Sequence, residues 1–369
     1  AWVPSNQRRN MPDWLDPEAP LISRFLQGAG YATAHFGKWH LANDMIPDSP
    51  PPSDYGFDVS AAFNCSGEQM PVHDDARRTI SFIEKCHEEG KPFYVNLWLH
   101  EPHTPFHTKP EYRRRFPKLA ERDNIYASVL AHADERVGSV LEVLDRLKLA
   151  ANTLVIFSSD NGPARAQPGT KLQTMHDTAT GEGFNIAAAR GVTGGRKGYK
   201  AALFEGGIGV PFIARWPGKI GAGKVDRTSL FSAVDLLPTF CEIAKVELPA
   251  AYRPDGMSQL ETLKGRGQAR RSKPLFWKTI APWPARKSKP DHWVSFAVIS
   301  QNWKLVANQS VDYVELYDLE SDPLEAVNVA KKHEKEVRRL RTMLEEWKAS
   351  LPARPTGKVF SRLRDKGKP

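Results

Sequence analysis

The chain has 369 residues, with 52 Lys and Arg against 43 Asp and Glu and a formal net charge of +9 at pH 7. This length is enough for one large domain and a smaller one. Hydrophobic residues make up 40% and charged residues 26%, as in ordinary globular proteins. No apolar run approaches the ~18 residues of a membrane span, so we predict a soluble piece without a membrane-spanning helix.

The positive charge is concentrated at the C-terminal end. Residues 331–369 hold 13 Lys and Arg against 5 Asp and Glu, so this basic tail contributes +8 and the remainder is nearly neutral. A basic tail can bind nucleic acid, anionic lipid or a polyanionic glycan, but a solvated helix face followed by a disordered end is commoner. No nucleic-acid-binding motif accompanies it, and we predict no nucleic-acid partner.

The three cysteines, Cys65, Cys86 and Cys241, include no Cys-x-x-Cys pair. A zinc knuckle and a thioredoxin-like motif are therefore not supported, and the odd number gives no disulfide framework. We assign none of the three as a nucleophile.

After an irregular N-terminal stretch, the pattern predicts a helix over 20–29 and a short strand over 31–36. Gly37 ends the strand, and two cationic side chains follow, Lys38 and His40. Lys is a compact point charge suited to oxyanions, and His can carry a proton near neutral pH. Ligands of open α/β sheets bind beyond the carboxyl ends of strands, which favours an anion site here. Alone, a Gly turn with two solvated basic residues fits equally well.

A predicted helix over 74–89 leads into a near-continuous apolar strand over 93–99, the pattern of a strand buried on both faces of a parallel sheet. This strand ends in three histidines, His100, His103 and His107. Imidazoles suit zinc or copper, so a metal site is one interpretation and a histidine-rich surface loop is another. We favour an oxyanion-binding role for His103.

A long amphipathic helix over 124–148 precedes a third strand, over 153–159, which ends at Asp160 and Asn161. Asp-Asn-Gly by itself is a common turn sequence. A carboxylate beside an amide oxygen also supplies the ligands that hard cations such as Ca²⁺ prefer. Because three successive strands end in candidate chemistry, we favour a crevice site over three unrelated turns.

A Gly-rich loop over 162–198 is predicted to close over this crevice, and it leads to Lys200 and a buried strand over 210–214. A lone Lys in such a position is by default a surface residue. Beyond a linker within 265–272, the pattern predicts four short strands and one helix, at 275–278, 294–299, 303–307, 314–317 and 333–351. A small antiparallel sheet with one helix fits this order.

Taken together, several segments resemble the sulfatases, the formylglycine-dependent, arylsulfatase-like branch of the alkaline phosphatase superfamily. The resemblance covers about residues 20–350 and is carried by four motifs in the family's order: Gly30-Tyr31-x-Thr33-x-x-x-Gly37-Lys38-x-His40, Pro102-His103-Thr104-Pro105, Asp160-Asn161-Gly162 and Lys200-x-x-x-x-Glu205-Gly206-Gly207. The segment from Leu316 to Asn328 is also similar. The resemblance implies an alkaline-phosphatase-like α/β/α sandwich with a mostly parallel sheet over 1–270. A C-terminal α+β subdomain carrying the basic tail would follow over 271–369.

The resemblance also implies roles for the candidate residues. Lys38 and Lys200 would hold the sulfate oxygens and the developing charge of the leaving group. His103 would bind sulfate and help to protonate the departing alcohol. His40 would act as a base that assists the hydrated formylglycine. Such a preorganised cationic site stabilises charge that shifts in the transition state.

By the same resemblance, Asp160 and Asn161 would coordinate one Ca²⁺. The sequence departs from the family in having no Cys-x-Pro-Ser-Arg segment, whose Cys becomes formylglycine, and no Asp-Asp pair before Lys38 to complete the calcium ligands. Because the chain also starts at Ala1 rather than Met, we expect an N-terminally truncated sulfatase that is inactive as it stands. A full-length protein would need a formylglycine-generating or anaerobic sulfatase-maturating enzyme. The family predicts a periplasmic or secreted location, although no signal peptide is visible.

We therefore predict a sulfuric ester hydrolase that acts on a sulfated carbohydrate or aryl sulfate. Two alternatives stay open. One is a phosphodiesterase or phosphonate hydrolase of the same superfamily. The other is a catalytically inactive polyanion-binding protein that uses the cationic crevice and the basic tail.

Overall fold

The computed structural model describes residues 2–41, 46–63, 74–166, 169–178, 181–266, 271–279 and 290–367. Within these ranges the α-helices are α1 (Trp2–Arg8), α2 (Ile22–Gly28), α3 (Asp75–Glu88), α4 (Pro110–Arg113), α5 (Glu121–Arg146), α6 (Glu205–Ile208), α7 (Leu236–Ala244), α8 (Leu260–Leu263) and α9 (Glu334–Ser350). The strands are β1 (Ala32–Lys38), β2 (Val59–Phe63), β3 (Phe93–Trp98), β4 (Phe106–Thr108), β5 (Val155–Ser158), β6 (Thr174–Thr178), β7 (Gly181–Phe184), β8 (Phe212–Arg215), β9 (Leu275–Lys278), β10 (Phe296–Ser300), β11 (Trp303–Ala307) and β12 (Val314–Asp318). None of the helices described is long and apolar enough to cross a membrane.

The sheet that organises the first part of the chain is parallel, with the strand order β2-β1-β3. The register of β1 against β3 runs from Ala32 opposite Phe93 to Gly37 opposite Trp98. Both strands therefore end at the same edge of the sheet. The predicted α/β fold with a parallel sheet is confirmed. Two antiparallel assemblies accompany it, the pair β5-β8 and the small sheet β4-β7-β6.

Helices α3 and α5 cover one face of these strands. Ala34 and Phe36 of β1 pack against Phe82 and Cys86 of α3. A second cluster joins α3 to α5 and includes the first residues of two strands, Phe93 of β3 and Val155 of β5; its buried members are Ile83, Val143 and Leu144. Strands β3 and β5 thus begin over the same pair of helices.

The C-terminal sheet is antiparallel, with the order β12-β11-β10-β9, and carries one helix, as predicted. Leu340 and Leu344 of α9 pack on one of its faces. The opposite face contacts the segment Ala202–Phe204, which follows Lys200. The predicted domain boundary at residue 270 stays a prediction; a fully buried ion pair links Arg271 to Asp235, with Nη1 and Oδ2 2.6 Å apart.

Two terminal predictions are wrong. The N-terminal stretch predicted to be irregular contains α1. The end of the basic tail is not disordered as far as residue 364, because it packs on the N-terminal segment. Arg364 lies 2.6 Å from Asp13 in an ion pair, and the indole of Trp14 donates to the carbonyl of Lys358 over 2.6 Å. The Gly-rich loop predicted over 162–198 also contains structure, the β6-β7 hairpin.

The burial predicted for two strands is wrong as well. All of β3 is only half-buried except Trp98, which is 40% exposed, although its sequence is almost continuously apolar. In β8, Ile213 is 60% exposed. The physical reason is that, in the part of the chain that the structure describes, β3 pairs only with β1 and β8 only with β5, so each strand has one open side. Cys65 lies outside the described residues.

Candidate active site

Gly37 allows β1 and β3 to approach closely just before the first cationic side chain. Its φ is +103°, and a Cβ at this position would lie 2.1 Å from the carbonyl oxygen of Trp98. Any side chain would therefore push the two strands apart. Lys38 follows, half-buried at the last position of β1, and His40 lies two residues beyond it and is exposed.

The loop after β3 places His103 at the same edge. Its Glu101–Pro102 and Thr104–Pro105 peptide bonds are both cis. The Nδ1 atom of His103 lies 2.7 Å from the carbonyl oxygen of Thr104. A carbonyl only accepts, so Nδ1 carries the proton of the neutral ring and Nε2 is left with the lone pair. The loop thus fixes both the orientation and the tautomer of His103.

Backbone contacts bring the third strand end to Lys200. The amide of Gly162 donates to the carbonyl of Gly207 over 2.8 Å, and the amide of Lys200 donates to the carbonyl of Pro163 over 3.0 Å. A Cβ on Gly162 would lie 1.9 Å from the carbonyl oxygen of Gly206, so the two segments touch backbone to backbone. This contact positions the Asp160-Asn161 turn beside Lys200.

The charged side chains at this edge of the sheet act on both histidines. Burial, followed by the charges of Lys200 and Lys38, lowers the pKa of His103 to about 4, and Asp160 opposes the shift. The ring of His40 is partly desolvated although its side chain reaches solvent; this desolvation and the charges of the same two lysines lower the pKa of His40, again against Asp160. Both histidines are therefore neutral at pH 7 beside two ammonium groups. Lys38, Lys200 and Asp160 therefore lie near enough to His40 and His103 for their charges to act on both rings, and the catalytic roles stay predictions.

The predicted metal ligands meet only part of what a metal needs. Asp160 is exposed, and Asn161 uses its amide nitrogen to donate to the carbonyl of Gly162 over 2.8 Å, which leaves its Oδ1 as an acceptor. These two oxygens fit one side of a Ca²⁺ site, which takes 6–8 oxygen ligands. Among the residues described, no three Asp, Glu, His or Cys side chains are grouped to hold a metal. Calcium binding stays a prediction.

The same finding rules out the three-histidine metal site within the described part of the chain. His100 is buried, with its Nε2 atom 3.1 Å from the carbonyl oxygen of Pro105, and burial lowers its pKa to about 4. The rings of His100 and His103 make an edge contact with centroids 5.6 Å apart. His100 thus packs behind His103 rather than beside it as a ligand.

Sequence reasoning missed a buried ion cluster under the His103 loop. Arg136 of α5 lies 2.6 Å from Asp75 and 2.5 Å from Glu101, and all three side chains are buried. Glu101 belongs to the loop, so the cluster fixes the loop to α5. The only sequence signal was an arginine next to the apolar stripe of α5, a position that exposed arginines also occupy.

A second buried cluster joins the Lys200 segment to the C-terminal sheet. Lys304 of β11 lies 2.8 Å from Glu205 and 2.9 Å from Glu325, and its ammonium is fully buried. Glu205 and Glu325 both belong to sulfatase-like segments of the sequence. In this structure they hold α6, whose Gly206 and Gly207 contact Gly162, on the C-terminal sheet.

The fold and the site define an α/β protein in which two lysines and two histidines lie beyond the carboxyl ends of its strands. A protein-family model described as Sulfatase matches residues 5–246, and one described as N-sulphoglucosamine sulphohydrolase, C-terminal, matches residues 196–350. The chain belongs to the sulfatase family.

Known relatives are similar over most of this chain. An N-acetylgalactosamine-6-O-sulfatase of Bacteroides thetaiotaomicron is 29% identical over 283 residues, which cover 73% of this chain and 49% of the relative. The chain spans about half the length of the curated relatives it matches. Two solved structures share the fold at 20% identity: Ps i-CgsB in complex with k-i-k-neocarrahexaose, and BT4656 in complex with its substrate D-glucosamine-2-N,6-O-disulfate. Their TM-scores are 0.69 and 0.65, with 96% and 95% of this chain and 80% and 88% of theirs covered.

Proposed function

We propose that this site belongs to a sulfuric ester hydrolase that acts on a sulfated carbohydrate. The observation that carries the proposal is the cluster of two lysines and two neutral histidines around one strand edge, in a chain of the sulfatase family. Lys38 and Lys200 would bind the sulfate oxygens. Held in place before the reaction, their charges would stabilise the negative charge that develops in the transition state.

His103 would bind the ester and act as the acid for the leaving alcohol. In the free site its Nε2 atom carries a lone pair and its pKa is about 4, so it is not yet a proton donor at pH 7. An anion between the lysines offsets their charge and favours the imidazolium. Substrate binding would thus load the proton that the alcohol takes. His40, neutral at pH 7, would serve as the base.

Two groups that the family implies would complete the chemistry. A formylglycine would supply the hydrated aldehyde that serves as nucleophile, and the 369 residues contain no Cys-x-Pro-Ser-Arg segment to provide it. A Ca²⁺ held partly by Asp160 and Asn161 would supply positive charge to the sulfate oxygens. We therefore propose that the chain of 369 residues binds sulfate esters without turning them over. A complete enzyme would need a formylglycine-generating or anaerobic sulfatase-maturating enzyme and would act in the periplasm or outside the cell.

Sulfated amino sugars are the substrate class that we propose. The support is the activity of the 29% identical relative, an N-acetylgalactosamine-6-O-sulfatase, and the disulfated glucosamine that is the substrate of BT4656. The site itself selects for an anion, and the sugar would be recognised by contacts outside the lysine and histidine cluster.

Calorimetry on the 369-residue protein tests the proposal. We expect N-acetylgalactosamine 6-sulfate to bind and N-acetylgalactosamine not to bind. Lys38→Met or Lys200→Met should each weaken binding about ten- to a hundredfold, because a charged hydrogen bond contributes about 1.5–3 kcal/mol. The matched control Lys332→Met/Lys335→Met removes two exposed tail lysines and should leave the affinity unchanged.

Each alternative predicts a different result. A polyanion-binding protein that uses the basic tail would lose affinity in the tail variant, and its heparin binding would fall steeply with salt. A phosphodiesterase or phosphonate hydrolase would turn over phosphate esters faster than sulfate esters once its nucleophile is present. Equal binding of the sulfated and unsulfated sugars would contradict the hydrolase proposal.

A further inference from the structure

His35 is a completely buried histidine in the middle of β1, and the proposed chemistry does not use it. Its ring makes edge contacts with the rings of Trp39, Trp98 and Phe57, with centroids 4.7, 4.8 and 5.5 Å apart. A phenyl ring would suit these surroundings as well, and burying an imidazole costs free energy that burying a phenyl ring does not. Packing alone therefore does not explain a histidine at this position.

The hydrogen-bond donor of this imidazole is directed at Lys38. The Nε2 atom of His35 lies 3.1 Å from the carbonyl oxygen of Lys38. A carbonyl oxygen only accepts, so Nε2 carries the proton of the neutral ring. Nδ1 then holds the lone pair, and it is buried without a hydrogen-bond partner among the described residues. The polar function that distinguishes His35 from a phenylalanine is thus its contact with the backbone of Lys38.

This contact helps to fix the peptide group between Lys38 and Trp39. The N–H of that group, which belongs to Trp39, donates to the carbonyl of Phe63 over 2.7 Å. Its carbonyl accepts from His35, so both of its polar atoms are held. On the other side of Lys38 lies Gly37, a residue type with an unusually free backbone. A restraint on this peptide group therefore acts directly on the direction in which the Lys38 side chain leaves β1.

We propose that His35 is a positioning residue, which holds the carbonyl of Lys38 and thereby keeps the Lys38 ammonium where a sulfate ester binds. The inference rests on the proposed function, since it assigns His35 a role in the same site. It also has a consequence that needs no ester. The charge of Lys38 acts on the rings of His40 and His103, so a displaced ammonium would alter both.

Calorimetry on variants of the 369-residue protein gives the first test. His35→Phe keeps an aromatic ring and removes the donor. It should weaken the binding of N-acetylgalactosamine 6-sulfate about three- to tenfold, the factor that one hydrogen bond contributes to an equilibrium constant. His35→Gln places an amide nitrogen near the position of Nε2 and should restore the wild-type affinity. The matched control His132→Phe removes a buried histidine that stacks on Tyr112, and it should bind like the wild type.

Titration of the His40 ring by NMR gives a second test, without ligand. Burial lowers the pKa of His35 to about 4, so His35→Phe removes no charge from the folded protein near neutral pH. The charge of Lys38 lowers the pKa of His40. We expect that pKa to rise by about 0.5 in His35→Phe, because the ammonium is held less closely. Lys38→Met should give a larger rise, and His35→Gln and His132→Phe should give none.

The outcomes separate this inference from the proposed function. If the wild-type protein does not bind the sulfated sugar, the proposed function fails, and the titration of His40 still tests the positioning. An unchanged His40 pKa in His35→Phe, an unchanged affinity, or equal effects of His35→Phe and His35→Gln would each overturn the inference. Should His35→Phe not fold, long-range ¹H–¹⁵N spectra of the wild type decide. They should show the ring proton of His35 on Nε2 at pH 7, and a proton on Nδ1 would overturn the inference.

Discussion

Lys304 and Glu325 form an ion pair, with Nζ and Oε1 2.9 Å apart, in which both side chains are completely buried. The same ammonium binds Glu205, 2.8 Å away. Burial raises the pKa of Glu325, and Lys304 opposes that shift. The carboxylate therefore depends on Lys304 to remain charged in the interior.

We expect Lys304→Met to destabilise the protein by about 3–5 kcal/mol, because it leaves the buried Glu325 and the half-buried Glu205 without their cation. Urea unfolding at pH 7 measures the loss. Lys278→Met, at an exposed end of the same sheet, should change stability by less than about 0.5 kcal/mol. The double variant Lys304→Met/Glu325→Gln should lose less unfolding free energy than the losses of the two single variants added together. Losses that simply add would argue against an interaction between the two residues.

A parallel test addresses the cluster under the His103 loop. Arg136→Met leaves Asp75 and Glu101 buried and unpaired and should cost about 3–5 kcal/mol. Arg146 lies on α5, like Arg136, but its ion pair with Glu84 of α3 is exposed. Arg146→Met should therefore cost less than about 1 kcal/mol. Similar losses for the two variants, measured by thermal or urea unfolding, would show that burial of the cluster adds nothing.

Glycine is required at the end of β1. We expect Gly37→Ala to cost at least about 3 kcal/mol, since its Cβ meets the Trp98 carbonyl at 2.1 Å in addition to the strain of φ +103°. Gly90→Ala separates the two causes, because Gly90 has φ +62° and open space around it. Its cost should be only the ~1–2 kcal/mol of a left-handed alanine. Equal unfolding free energies for the two variants would contradict the steric account.

The buried histidines predict loss of stability in acid. Burial lowers the pKa of His35 to about 4, below the ordinary 6.5. As the pH falls below 6.5 the unfolded chain takes up the proton first, so this contribution to stability is lost between pH 6.5 and 4. The slope is about 1.4 kcal/mol per pH unit for each such histidine. Urea unfolding at several pH values should show a slope smaller by that amount in His35→Phe. In His87→Phe, at an exposed site, the slope should stay as it was.

An anion should change the protonation of His103. We expect inorganic sulfate to raise the pKa of His103 from about 4 by at least about one unit, since it offsets the charges of Lys200 and Lys38. Lys200→Met should raise it without sulfate, for the same reason. Titration of the ring C–H resonances by NMR measures both. If sulfate binds and the resonance titrates as before, His103 does not face the anion.

The candidate site could be predicted from sequence because its residues follow strands directly. Lys38 ends β1, and His103 and Asp160 follow β3 and β5 within five residues. The parallel pairing of β1 with β3 aligns the carboxyl ends of these two strands. Lys200 was found only by its resemblance to a family motif. The structure shows what places it, the backbone contact of Gly162 with Gly206 and Gly207, and a contact between segments some forty residues apart has no local pattern.

The buried ion clusters and the burial of the strands could not be predicted in the same way. Arg136 and Lys304 are residue types that normally point to solvent, and their partners lie far away in sequence. The apolar sequence of β3 is typical of a strand buried inside a sheet. It does not show how many strands pair with β3 in this fold. Local pattern thus predicts elements well and their partners poorly.

The packing of Ala202–Phe204 on the C-terminal sheet has a consequence for how variants of this protein should be interpreted. The position of Lys200 is set by residues about a hundred places later in the chain. If Lys200 binds sulfate as we propose, a substitution in β10 or β11 that displaces the sheet would weaken sulfate binding, although the altered residue lies far from the ligand. For this chain, a loss of affinity does not identify the altered residue as one that contacts the ligand.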